Sequence, residues 1–234
     1  WPRVGPELSD TTTSRHCLAG PASLVFLVMQ FLGKSFLDVD SLDPSAVHSL
    51  FTKAKKLQTA KTGKSTDKIL GLLFFEASTR TRASFEMAAY RLGVKVLNLE
   101  PSQSSVTKGE TVEDTALTME ALGVSALVVR HSSPGITKEL TRVLKIPIIN
   151  AGDGSRGHPT QALLDSYTIQ EECGKIEGQN VLLVGDISYS RVARSNISLL
   201  NTLGAHIAIC GPSTLRPQYL ENIKTFSDLN EGLK

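Results

Sequence analysis

Five short stretches of the sequence combine the side chains needed to bind and polarise an anion. Ser78-Thr79-Arg80-Thr81-Arg82 sets hydroxyls and two guanidiniums at the start of a helical apolar pattern. Hydroxyls and free N–H groups at a helix N-terminus receive anions, and a guanidinium adds paired, charge-assisted donors. Arg80 and Arg82 stand two apart and do not share a helix face, so one can hold a ligand while the other ties structure together. Ser102-Gln103-Ser104-Ser105-Val106-Thr107-Lys108-Gly109-Glu110 is a polar loop whose Lys108 precedes a helix start carrying Glu110 and Glu113. The acids suit that start, whereas Lys108 opposes the helix dipole and points to pairing with an anion. Arg130-His131 ends the apolar run Leu127-Val128-Val129. The segment from Asn150 to Gln161 holds Gly152, Gly154 and Gly157, then His158-Pro159-Thr160-Gln161, and Asp186 leads through Ser188 and Ser190 to Arg191. Taken singly, each stretch has an ordinary structural reading as a helix cap, a solvated loop or a surface arginine.

Their places in the chain give them common meaning. Short apolar runs predict strands over Ile69–Phe75, Val94–Leu99, Ala126–Val129, Ile146–Ile149, Val181–Val184 and His206–Cys210. Between them, 3.6-residue periodicity predicts helices over Thr81–Leu92, Thr111–Leu122, Thr137–Leu144, Pro159–Cys173 and Val192–Leu203, with another after Pro212. Asp43-Pro44 opens an earlier amphipathic helix through Leu57. Alternating strands and helices, with strands apolar throughout, imply an α/β fold of parallel sheets flanked by helices. Every one of the five stretches follows a strand, the side on which open parallel sheets bind ligands.

The polar break from Gly174 to Gln179 divides the pattern into a first domain over 33–173 and a second over 174–234. With two clear strands the second domain is incomplete as a sheet. Residues 1–32 form an N-terminal extension. Its apolar run Leu24–Leu32 is too short to span a bilayer, and no small-residue cleavage site follows, so a signal or transit role is disfavoured.

Bulk composition narrows the partners. A net charge of +2 over 234 residues, without a basic block, and 6% aromatics argue against nucleic acid. The absence of a long apolar segment argues against a membrane. Cys17, Cys173 and Cys210 are odd in number and widely spaced, which predicts free thiols in a reducing, cytoplasmic setting and no zinc site. The glycines of Gly152-Asp153-Gly154-Ser155-Arg156-Gly157 spell the GxGxxG of a dinucleotide site. Asp186 falls beyond the usual spacing for the acidic partner, and the adjacent His158 and Gln161, together with Ser78-Thr79-Arg80-Thr81-Arg82, weigh against NAD.

Together, Ser78-Thr79-Arg80-Thr81-Arg82, Ser104-Ser105-x-x-Lys108-Gly109-Glu110, Arg130-His131 and His158-Pro159-Thr160-Gln161 resemble the aspartate/ornithine carbamoyltransferase family in order and spacing, from about Phe36 onward. The SSxxKGE loop, Gly152-Asp153-Gly154 and Arg191 resemble its aspartate branch, with the ornithine branch the runner-up. The resemblance implies transfer of a carbamoyl group from carbamoyl phosphate to L-aspartate, a step of pyrimidine biosynthesis, without a cofactor or metal. It implies that Ser78, Thr79, Arg80 and Thr81 hold the phosphate and that Arg130 bridges phosphate and carbonyl oxygen. By the same resemblance His158 and Thr81 donate to that oxygen, Gln161 orients the carbamoyl NH2 group, and Lys108 and Arg191 serve aspartate. Ser104 and Lys108 would come from a neighbour in a homotrimer, with regulatory subunits possible partners. Against the family pattern the chain stops at Lys234, so this stretch alone is expected to keep much of the carbamoyl-phosphate site and to lack useful activity. A non-catalytic, anion-binding homologue is the alternative of a different class.

Overall fold

Asp43 starts the first helix, α1 (Pro44–Thr59), by accepting hydrogen bonds from the Ala46 N–H at 2.7 Å and from Ser45 Oγ at 2.6 Å. Such a cap stabilises a helix by about 1 kcal/mol. Val47, Leu50, Phe51 and Ala54 follow at helical spacing, and all four are buried. The computed structural model describes residues 34–59, 66–99, 110–217 and 223–234. The extension, the apolar run Leu24–Leu32 and Cys17 lie outside them, as do Ser104 and Lys108.

A four-stranded parallel sheet forms from β1 (Ile69–Phe74), β2 (Lys95–Leu99), β3 (Ala126–His131) and β4 (Ile148–Asp153), in the order β2-β1-β3-β4. Side chains alternate across β1. Leu70, Leu72 and Phe74 face Phe85 and Ala89 of α2 (Thr79–Arg91). Leu73 faces the opposite layer, where α3 (Val112–Ala121) gives Ala116 and Met119 and α4 (Ile136–Leu140) gives Leu140. Helices thus cover both faces, as expected for strands that are apolar along their whole length.

This strand order places the ligand side. From β1 the chain passes through α2 to β2 on one flank, whereas β3 and β4 lie on the other. The direction of winding therefore reverses between the carboxyl ends of β1 and β3, where a crevice opens. Phe74 pairs in register with Arg130, so whatever follows β1 sits beside that arginine.

The chain continues through α5 (Pro159–Cys173) into a second parallel sheet, β5 (Asn180–Val184), β6 (His206–Cys210) and β7 (Lys224–Phe226), in the order β5-β6-β7. Helix α6 (Arg191–Thr202) joins β5 to β6, and a short helix α7 (Leu229–Gly232) follows β7. One apolar cluster binds the two sheets' helices together. Phe51 and Ala54 of α1, Leu163 and Tyr167 of α5, and Leu199 and Leu200 of α6 all belong to it. Each fully buried leucine here stabilises the fold by about 2 kcal/mol. Among the described residues no helix is long and apolar enough to cross a membrane.

Four expectations need correction. The fourth strand is Ile148–Asp153 rather than Ile146–Ile149, because the polar Asn150 and Asp153 find internal partners and bury. Asn150 Nδ2 donates to the Leu37 carbonyl at 2.8 Å, and Asp153 Oδ1 accepts from the Gly135 N–H at 2.8 Å. The helix expected to reach Leu144 ends at Leu140, where the Thr141 hydroxyl donates to the Lys138 carbonyl at 2.7 Å. Directly after Pro212 stands a 3-10 turn, Ser213–Leu215, so no α-helix starts there, and 218–222 of the expected helix lie outside the described residues. The second unit has a third strand, β7, missed because Lys224 and Thr225 are exposed and only Phe226 turns inward.

Candidate active site

Helix α2 begins at Thr79, two residues ahead of the sequence expectation, and this alters the chemistry at its start. Ser78 is the N-cap, yet its side chain makes no capping bond, and the first backbone N–H bonded back within the helix is that of Arg82, to the Ser78 carbonyl at 3.0 Å. The N–H groups of Thr79, Arg80 and Thr81 are therefore first-turn donors without an acceptor inside the helix. They stand with the Ser78 and Thr81 hydroxyls at the positive end of its dipole. Arg82 turns away and pairs with Glu86 at 3.9 Å, whereas Arg80 lines the crevice, so the two arginines divide their tasks.

Four elements close around one cleft of about 740 Å³. The α2 start gives Ser78, Thr79, Arg80 and Thr81; β3 gives Arg130; the α5 start gives His158 and Gln161; and α6 gives Arg191. The described residues to which the family resemblance gives a ligand thus line one cleft, whereas Arg82, His131 and Asp186 are not in its lining. Pro159 at the first position of α5 fixes the turn that seats His158 as N-cap.

Glu76, which the sequence reading passed over, organises the cations. Its Oε2 lies 2.9 Å from Arg191 Nη2 and 3.3 Å from Arg130 Nε. The Arg191 contact is a hydrogen bond, while Arg130 Nε is buried without one, so this second contact is an ion pair with a donor still to satisfy. The two guanidiniums also bond backbone carbonyls: Arg130 Nη1 to Ala151 at 3.1 Å and Arg191 Nη1 to Gly154 at 3.0 Å. Burial lowers the pKa of Arg130, the nearby Arg191 lowers it further, and Glu76 partly offsets both. Glu76 stands directly after a strand, the same signal that marked the other residues.

The glycine pattern has a packing explanation. Gly152 lies within β4 with φ of +125°, and a Cβ there would stand 2.9 Å from Arg130 Nη1 and 3.2 Å from Arg191 Cζ. Its bare backbone lets both guanidiniums approach. Gly154 has φ of +50° and fits against Pro134, where a Cβ would come within 2.6 Å of the backbone nitrogen. GxGxxG here serves an arginine pair and a tight turn instead of a dinucleotide.

His158 is 6% exposed. Its backbone N–H donates to Ser195 Oγ at 2.9 Å, and Nδ1 lies 3.3 Å from Thr160 Oγ1, leaving Nε2 as the ring atom available to a ligand. Burial, then Arg130 and then Arg191 push its pKa down to about 3. The imidazole is therefore neutral near pH 7 and can act as a dipolar donor, not as a fixed cation. An unfolded chain takes up this proton near pH 6.5, so stability conferred by the neutral ring is lost as pH falls from 6.5 toward 3. Ring-proton chemical shifts of His158 are expected to stay flat from about pH 8 to about pH 5, and a midpoint above about 6 would contradict this assignment.

The sequence profile of "Aspartate/ornithine carbamoyltransferase, carbamoyl-P binding domain" matches residues 34–171. The chain belongs to the aspartate/ornithine carbamoyltransferase family. Among curated relatives, the aspartate carbamoyltransferase catalytic subunit of Halothermothrix orenii is 47% identical over 211 residues. That alignment covers 87% of this chain and 66% of the relative, so the chain spans just under two thirds of that relative's length. A crystal structure of Trypanosoma cruzi aspartate transcarbamoylase in complex with carbamoyl phosphate superposes with a TM-score of 0.79 at 32% identity, covering 86% of this chain and 71% of that one. The catalytic subunit of the M. jannaschii aspartate transcarbamoylase gives a TM-score of 0.74 at 34% identity, covering 85% and 70%.

Proposed function

We propose that the cleft binds carbamoyl phosphate and that the protein transfers its carbamoyl group to the amino nitrogen of L-aspartate, giving N-carbamoyl-L-aspartate and phosphate. The observation that carries this reading is the meeting of the free α2 N-terminus, Arg80, Arg130, His158 and Gln161 on one cleft. The phosphoryl oxygens lie against Ser78, Thr79, Arg80 and Thr81. Arg130, with its buried Nε, reaches both a phosphoryl oxygen and the carbonyl oxygen. The amino lone pair attacks the carbonyl carbon, a C–N bond forms, and negative charge gathers on the carbonyl oxygen. The neutral His158 and the Thr81 hydroxyl donate to that oxygen. The C–O bond to phosphate then breaks, and the departing phosphate takes the proton released by the amine. Catalysis of this kind consists of positioning and electrostatic stabilisation. Arg191, now held by Glu76 and Gly154, would exchange that ion pair for an aspartate carboxylate.

The likeness to named aspartate carbamoyltransferases supports aspartate over ornithine as acceptor. An assay of the full-length protein with both acceptors decides it: N-carbamoylaspartate is the expected product, and citrulline or no product sinks the reading. Thermal shifts separate the remaining alternatives. Carbamoyl phosphate followed by aspartate stabilises the enzyme in two steps, whereas a non-catalytic homologue responds to the anion alone and a dinucleotide protein to NAD.

On the same resemblance we propose a homotrimer in which Ser104 and Lys108 enter a neighbour's cleft, and sedimentation at any other mass counts against it. The division at Gly174 assigns carbamoyl phosphate to 33–173 and aspartate to 174–234. Limited proteolysis should cut first between Gly174 and Gln179. Free thiols at Cys173 and Cys210 support a cytoplasmic setting, which cell fractionation tests.

A further inference from the structure

Behind the cleft, one carboxylate decides how Gln161 faces its ligand. Gln161 Nε2 donates to Asp165 Oδ1 at 2.8 Å, one turn along α5. The other oxygen of Asp165 accepts from Asn196 Nδ2 of α6 at 2.7 Å. An ionised carboxylate only accepts hydrogen bonds. The two ends of a glutamine amide are nearly the same size, so packing alone does not choose between them. Asp165 does choose: the NH2 end must face it, and Oε1 is left as the end that can accept from a ligand in the cleft. Asn196, 5% exposed and with a buried Oδ1 lacking a partner, is held in one orientation by the same carboxylate.

We propose that Asp165 is a positioning residue that makes Gln161 an obligate acceptor, and that this arrangement gives the cleft its preference for carbamoyl phosphate over acyl phosphates. The inference rests on the reading of the cleft as a carbamoyl-phosphate site. An amino group and a methyl group have similar volumes, so shape discriminates poorly between carbamoyl phosphate and acetyl phosphate. A directed acceptor does discriminate, because an NH2 group satisfies it and a methyl group leaves it unpaired. Without Asp165 the amide can turn and offer its own NH2, and the preference disappears.

Isothermal titration of the full-length protein with carbamoyl phosphate, acetyl phosphate and inorganic phosphate tests this. The wild type is expected to favour carbamoyl over acetyl phosphate by about tenfold or more. Asp165→Asn preserves shape but introduces an end that can donate, so Gln161 is free to turn. Its preference should fall below about threefold while affinity for inorganic phosphate stays within about twofold. Asn196→Ala breaks the link to α6 but keeps the Asp165–Gln161 bond, and should retain the preference. Full preference in Asp165→Asn overturns the proposal, and so does parallel weakening of all three ligands, the mark of a merely structural strap. A wild type that fails to bind carbamoyl phosphate in competition with phosphate refutes the reading of the cleft, and the inference with it, before any variant is compared.

Discussion

Replacing His158 by alanine is expected to slow carbamoyl transfer by the full-length protein about 100- to 1,000-fold while carbamoyl phosphate still binds. The asymmetry follows from where the ring sits. Its pKa of about 3 keeps it uncharged, so it adds little attraction for a phosphate dianion in the ground state. Its value rises as charge develops on the carbonyl oxygen, where a buried, oriented donor acts in a medium of low dielectric. The fold should survive the change, because the bond to Ser195 uses the backbone N–H of His158 and, among the described residues, the ring's polar partner is the Thr160 hydroxyl. Steady-state kinetics and a carbamoyl phosphate titration on the same variant check both halves. Turnover within threefold of wild type, or loss of binding in step with turnover, would remove His158 from the role of transition-state donor.

Glu76→Gln is expected to destabilise the ligand-free protein by about 2 kcal/mol, and at the same time to enlarge its response to phosphate. Glu76 is the carboxylate that holds Arg130 and Arg191, whose side chains are 14% and 17% exposed. Removing one partner from a fully buried ion pair costs about 3–5 kcal/mol. The 30% exposure of Glu76 lowers the figure here. For a chain of this size the change corresponds to about 4–8 °C in Tm. The two guanidiniums, relieved of their internal counter-ion, then await an external one, so inorganic phosphate should raise Tm more in the variant than in the wild type. An unchanged Tm without ligand, or equal phosphate shifts in the two proteins, would contradict this account of Glu76.

Much of this arrangement was legible before coordinates, for identifiable reasons. Residues such as Leu127, Val128 and Val129 form uninterrupted apolar runs because parallel strands are buried on both faces, and such runs give strands away. Arg130, His158 and Arg191 stand out in the sequence because each lies at a carboxyl strand end or a helix start, and the three line one cleft. What escaped detection depended on pairing across the chain. Asn150 and Asp153 read as loop residues until their partners Leu37, Gly135 and Thr137 are in place. Glu76 and Asp165 gain meaning only from residues 115 and 31 positions away, Arg191 and Asn196. Gly152 matched a dinucleotide pattern because glycine spacing records close approach without recording what approaches.

The most direct test of the account is a crystal structure of the full-length protein soaked with carbamoyl phosphate. Its phosphoryl oxygens should meet the N–H groups of Thr79, Arg80 and Thr81, and its carbonyl oxygen should lie within about 3.2 Å of both His158 Nε2 and the Arg130 guanidinium. A ligand bound elsewhere, or one whose carbonyl oxygen reaches neither side chain, would contradict the assignment of this cleft.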